Sequence, residues 1–148
     1  MKKICVVTIL VLLSANLFAV NQYVWKEKNA KAMALYNQGK YDQAITVGEE
    51  ALTLAKKVFG SKHTMLAVSM NNLAGIYRAR GSHKKAENLY KQAMTVEEKV
   101  AGKEHSNYSS YAFNLASLYF DTERVAPAAH DVAKGYSSQE KSSQKNKI

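Results

Sequence analysis

Residues 63–104 read HTMLAVSMNNLAGIYRARGSHKKAENLYKQAMTVEEKVAGKE, and the chain repeats this pattern on either side. A shift of 42 places carries His63 onto His105, Asn72 onto Asn114, Leu73 onto Leu115, Ala74 onto Ala116, Tyr77 onto Tyr119 and Ala86 onto Ala128. The same shift in the other direction carries Ala74 onto Ala32, Gly81 onto Gly39, Ala86 onto Ala44, Ala93 onto Ala51, Thr95 onto Thr53 and Gly102 onto Gly60. A fixed period in this range is the signature of a solenoid, in which each unit covers the apolar face of its neighbour. Such arrays bind more often than they catalyse.

Within the quoted unit the apolar residues step at helical spacing. Leu66, Met70, Leu73, Ala74 and Tyr77 make one stripe; Ala86, Leu89, Tyr90, Ala93 and Val96 make a second. Gly81 breaks the first stripe, Ser82 is placed to cap the second, and Gly102 ends it. Each unit is therefore expected to be two antiparallel helices joined by a tight turn, and the fold all-α, with no alternation long enough to argue for a sheet. Ala74 and Ala86 are expected to face each other across the pair, with Tyr77 and Tyr90 filling the gaps beside them.

The spacing of Leu73-Ala74, Tyr77, Gly81, Ala86, Tyr90 and Ala93 resembles that of the tetratricopeptide repeat. The NNLAGIY run, the 42-residue period and the Lys- and Glu-rich second helix look like its longer, kinesin-light-chain type. The resemblance is strongest over residues 63–104, good over 25–62 and weaker from His105 onward. Lys31 stands where leucine is usual, and Glu123 replaces the turn glycine. Pro127 is suited to start the second helix of the third unit, although Gly135 weakens that helix. The expected organisation is a leader over 1–19, three repeats at about 21–62, 63–104 and 105–136, and a polar, disordered tail over 137–148. The third unit is read as a cap that turns His130, Asp131 and Lys134 to water, or as an edge that a second molecule closes.

The leader begins with Lys2 and Lys3, continues with the apolar run over residues 4–13 and offers a cut after Leu17-Phe18-Ala19. A spanning helix needs about 20 apolar residues, and Ser14 and Asn16 interrupt this run, so a cleaved signal is preferred over an uncleaved anchor. The expected location is the periplasm of a bacterium, or outside the cell. Cys5 is the one cysteine and lies in the leader, so a cut chain would hold neither disulfide, thiol nucleophile nor cysteine-held metal. The net charge of +9 falls to +7 without Lys2 and Lys3, with 19 basic against 12 acidic residues. That balance favours loose association with anionic surfaces without specifying one.

Arrays of the resembled family bind extended peptides or helices along a concave surface lined by the first helix of each unit. The resemblance places Lys26, Asn29, Met33 and Asn37 on that surface from the first unit. It places Asn71, Asn72, Gly75 and Arg78 there from the second, and Phe113, Asn114, Ser117 and Phe120 from the third. In related proteins an asparagine at the place of Asn72 and Asn114 holds a peptide main chain; the alternative is a bond between adjacent repeats. Asn29, Met33, Ser110 and Asn114 depart from the basic clamp by which some relatives grip a terminal carboxylate. Phe113 and Phe120 would be either an apolar anchor site or core.

His63 and His105 mark unit boundaries, with Thr64 and Ser106 beside them suited to capping, and no metal-ligand spacing joins them. Glu49-Glu50 and Glu97-Glu98 are read as solvated faces with local ion pairs. There is no nucleophile elbow and no phosphate-binding glycine loop, and the basic residues are not aligned with stacking aromatics. No enzyme, cofactor or specific nucleic-acid partner is expected. The expected function is capture of a protein or peptide partner, the alternatives being structural self-association or adhesion to an anionic surface.

Overall fold

The computed structural model describes residues 2–122, with side chains from residue 15 onward. Five helices follow one another: α1 (Lys2–Asn37), α2 (Tyr41–Phe59), α3 (Thr64–Ala79), α4 (His83–Val100) and α5 (Ser106–Asp121). Each packs against the next in sequence, and α3 also touches both α1 and α5. Linkers this short leave consecutive helices antiparallel. The stack therefore has two layers, with α1, α3 and α5 in one and α2 and α4 in the other. Pro127, Gly135, the expected cap residues and the polar tail lie outside the described residues.

The turns recur every 21 residues. Gly39, Gly60, Gly81 and Gly102 all have φ between 72° and 87°, a region that costs other L-residues energy. At Gly39 and Gly81 the hydrogen-bond pattern is the same: Lys40 N–H donates to Leu35 C=O at 3.0 Å and Ser82 N–H to Tyr77 C=O at 2.8 Å. This is the wrapped helix end that a left-handed glycine permits.

Packing depends on small residues. Ala44, Ala51, Ala55, Ala67, Ala74, Ala86, Ala93 and Ala112 are wholly buried, and between them sit Leu66, Met70, Leu73, Tyr77 and Tyr90. The indole N–H of Trp25 donates to Ser69 Oγ at 2.8 Å, which joins α1 to α3 through the core. Burial and the Glu49 carboxylate, which accepts from its Oη, push Tyr77 up to about 12. Tyr119 lies 42 residues on and donates likewise to Glu87 Oε1 at 3.0 Å. Each of these tyrosines thus ties a first-layer helix to the helix before it.

Three local expectations are corrected. The cap of α3 is His63 itself: its Nδ1 accepts from Met65 N–H at 3.1 Å, while Thr64 is already helical. His105 also stands at the cap position of α5, but its Nδ1 donates instead to Glu97 Oε1 at 2.8 Å. Ser82 sits at the start of α4 without a side-chain capping bond. Glu97 is not solvated: its exposure is 0%. It occupies the place of Ala55 in the first unit, a core position, and Asn107 Nδ2 is its second donor at 3.3 Å. Glu98 does behave as expected, pairing with Lys103 at 3.1 Å on the surface.

Two stability predictions result. Ala86→Leu overfills a contact that has no free surface and should cost roughly 1–3 kcal/mol in urea unfolding. His105→Ala deprives a buried carboxylate of its main donor and should cost about 3 kcal/mol. Adding Glu97→Ala, which copies Ala55, should recover at least half of that loss, and urea melts of the single and double variants measure the recovery.

Candidate functional site

The layer of α1, α3 and α5 carries a groove lined by Met33 and Tyr36 from α1, by Asn71, Asn72, Gly75, Arg78 and Ala79 from α3, and by Asn114 and Asp121 from α5. Tyr90 of α4 reaches between the helices to form part of its floor. Its hydroxyl would lie 3.6 Å from a Cβ placed on Gly75, so the small residue there opens the groove to that depth. Burial pushes Tyr90 up to about 12, against the opposing pull of Arg78.

Polar bonds cross the groove floor in a regular register. Asn72 Nδ2 donates to Asn29 Oδ1 at 3.5 Å, and Asn114 Nδ2 to Asn71 Oδ1 at 2.8 Å. Arg78 Nε donates to Asp121 Oδ2 at 2.6 Å, and this carboxylate holds the guanidinium further into its charged form. In all three the partners are 43 residues apart, one more than the period. A helix meets its two neighbours with opposite sides, so contacts join unlike positions. On α3, Asn71 faces onward to α5 while Asn72 faces back to α1. Asn29 is held from behind, its Nδ2 lying 3.3 Å from Trp25 C=O and 3.5 Å from Ser69 Oγ.

Six of the expected surface residues, Met33, Asn71, Asn72, Gly75, Arg78 and Asn114, come together as groove lining. Asn29 joins them through its bond to Asn72. Phe113 and Ser117, at the places of Asn71 and Gly75, are not part of the groove lining, and Phe113 is exposed rather than core, as is Phe120. The inter-repeat bonding of Asn72 and Asn114 is realised, and it coexists with their place on the groove. Tyr36, Ala79, Tyr90 and Asp121 line the groove without being among the expected residues. The period points to three of them, because Tyr36 is the counterpart of Arg78, and Ala79 and Asp121 are those of Asn37. Tyr90 belongs to the other layer, and nothing in its spacing announces its reach. Among the described residues no group of three His, Cys, Asp or Glu side chains is gathered as for a metal.

A stack of helix pairs with a polar groove along one layer defines a helical-repeat scaffold of the protein-interaction kind. The sequence model of the tetratricopeptide repeat family matches residues 27–99 and 68–141, and the chain belongs to that family. Its fold is like that of BtubC (BKLC) from P. vanneervenii, with a TM-score of 0.75 and 21% identity over 82% of this chain and 48% of that one. It is also like the kinesin-light-chain-like protein of Podosopora anserina with nearly identical TPR-like repeats, and like a single-residue variant of that protein. Each of these has a TM-score of 0.70 and 22% identity over 78% of this chain and 55% of the other. Among curated proteins, RxLR effector protein SFI4 of Phytophthora infestans (strain T30-4) is 33% identical over 58 residues, 39% of this chain and 17% of that protein. The chain thus spans about half the length of the solved structures and under a fifth of the effector.

Proposed function

We propose that the chain is an exported, non-enzymatic adaptor that holds an extended peptide segment of a partner protein along the layer of α1, α3 and α5. The observation that carries this reading is the half-used amide pair on the groove. Asn114 gives its Nδ2 to Asn71 Oδ1. Asn71 Nδ2 and Asn114 Oδ1 have no hydrogen bond among the described residues, and both residues line the groove. A donor and an acceptor so placed match one peptide unit. Main-chain capture of that kind gives affinity with little dependence on side-chain identity.

Export is supported by the leader and by the length of α1. That helix has 36 residues, whereas the other four have 16 to 19. A cut after Ala19 would leave residues 20–37, a helix of ordinary length for this stack. It would also remove the exposed Leu17 and Phe18. The periplasm of a bacterium, or the medium around it, is the destination such a leader suggests. Among the described residues no helix is long and apolar enough to cross a membrane.

Two measurements test the proposal. Mass spectrometry of the chain recovered from periplasm and medium should find Val20 as its first residue; an intact leader there would overturn export. The full chain used as bait on those fractions should retain a partner protein. Asn71→Ala with Asn114→Ala should lower that capture at least tenfold while costing only about 1 kcal/mol of stability, the worth of one half-buried hydrogen bond. Unchanged capture would remove the groove from consideration.

A further inference from the structure

On the other layer, α2 and α4 both pack on α3 and not on each other, and a trough of about 410 Å³ lies between them. Leu52 of α2, Leu73 of α3 and Leu89 of α4 give it an apolar lining. Thr53 and Lys56 of α2, and Lys85 and Asn88 of α4, stand exposed on its sides. Asn88 Oδ1 accepts from Gln92 Nε2 at 3.1 Å, which leaves the amide N–H groups of Asn88 to the trough. Neither lysine has a carboxylate partner among the described residues.

The next tyrosine along the array shows which chemistry suits this place. Lys91 Nζ lies over the Tyr119 ring, 5.7 Å from its centroid, and donates at 2.8 Å to Glu87 Oε1, which also accepts from Tyr119 Oη at 3.0 Å. Cation, ring and carboxylate form a closed set there. Lys85 Nζ lies likewise over Tyr77, at 4.9 Å, and Tyr77 donates to Glu49. Here the cation does not reach the carboxylate, so its charge is left to the trough. Lys56 differs from its counterpart Glu98 in the same sense, since Glu98 pairs with Lys103 at 3.1 Å.

We infer that the trough between α2 and α4 is a binding site for an acidic peptide segment, which sets one carboxylate on Lys85 and Asn88, another on Lys56, and an aliphatic side chain on the leucines. The site is separate from the groove, since neither lysine lines it. Charge decides the class of ligand. The trough holds two ammonium groups against the one carboxylate of Glu49, whose Oε1 already accepts from Tyr77. A basic segment would meet two like charges, and an uncharged one would cover both without answering them. The Tyr77 ring steadies Lys85, so less side-chain freedom is lost when an anion binds. Spacing decides the form. Glu49, the residue of α2 that meets Tyr77, and Lys56 are seven positions apart, about 10.5 Å along the helix. In an extended segment residues i, i+2 and i+4 share one face and span roughly 13 Å. Acid, aliphatic and acid at alternate positions therefore match lysine, leucine and lysine, and the flexible lysine stems take up the difference.

The test is an anisotropy titration of the full chain with a labelled, end-blocked peptide of sequence Ser-Glu-Ser-Leu-Ser-Glu-Ser at low salt. Saturable binding is expected, and it should weaken as salt is raised to physiological strength. Exchange of both acids for Gln should weaken it at least tenfold, and exchange of the Leu for Ser at least threefold. Lys56→Ala with Lys85→Ala should weaken it at least tenfold while leaving the urea midpoint nearly unchanged, because both side chains are exposed. Lys57→Ala with Lys84→Ala removes the same charge from neighbouring residues outside the trough, and should weaken binding less than twofold. Asn71→Ala with Asn114→Ala should leave it unchanged. No binding of the peptide, or no loss on exchanging its Leu, would overturn the site. Equal losses from the two lysine pairs would overturn it too, because attraction to the overall charge of the chain would then suffice. Binding lost with the asparagines instead would put the peptide in the groove, overturning the trough and supporting the groove reading.

Discussion

Helices stack closely only where side chains are small, and in this chain that condition is met by alanine. Eight alanines, spread over α2, α3, α4 and α5, have no exposed surface at all. Because an alanine leaves no slack, the larger residues between them have one way to fit. The tyrosines Tyr77 and Tyr119 then reach the glutamates Glu49 and Glu87 of the preceding helices. The groove inherits its geometry from this core. Asn71 and Asn72 lie on the same turn of α3, yet they bond in opposite directions because the packed core holds α1 and α5 at fixed distances on its two sides.

Much of this was legible from the 42-residue echo. The helix pairs and the turn glycines follow from period and stripe, and the layer that carries Met33, Asn71, Asn72, Arg78 and Asn114 follows from the family resemblance those residues support. What the echo could not supply was any feature that depends on a contact between unlike positions. Glu97 lies in a helix rich in Lys and Glu, and a local reading makes it a surface residue. Its burial is decided by His105 and Asn107 on the next helix and the turn before it. A comparison with Ala55, its counterpart in the first unit, was the available hint that the position is core.

The two histidines make the same point from the other side. His63 and His105 are counterparts in sequence, and both stand before a helix. One turns its Nδ1 to its own backbone as an acceptor; the other turns it to a carboxylate as a donor. The difference is set by the residue opposite, since the first unit has Ala55 where the second has Glu97. A cap that accepts from the backbone and a donor to a buried carboxylate are therefore two outcomes of one sequence position.

Fidelity of the repeat itself separates the packed core from the groove. Ala32, Ala74 and Ala116 echo one another, as do Tyr77 and Tyr119, and all are buried. Along the groove the echo fails: Asn29, Asn71 and Phe113 succeed one another, as do Met33, Gly75 and Ser117, and Tyr36, Arg78 and Phe120. No packing constraint holds these positions to one residue, so each unit offers a different surface. The asparagines are the exception: Asn29 echoes in Asn71, and Asn72 and Asn114 echo and still line the groove. Each of the latter two has a structural duty that accounts for the echo, since its Nδ2 bonds to the preceding helix of the same layer. The Oδ1 that this bond leaves over belongs to a groove residue, so a polar atom on the groove is a by-product of a contact that joins two helices.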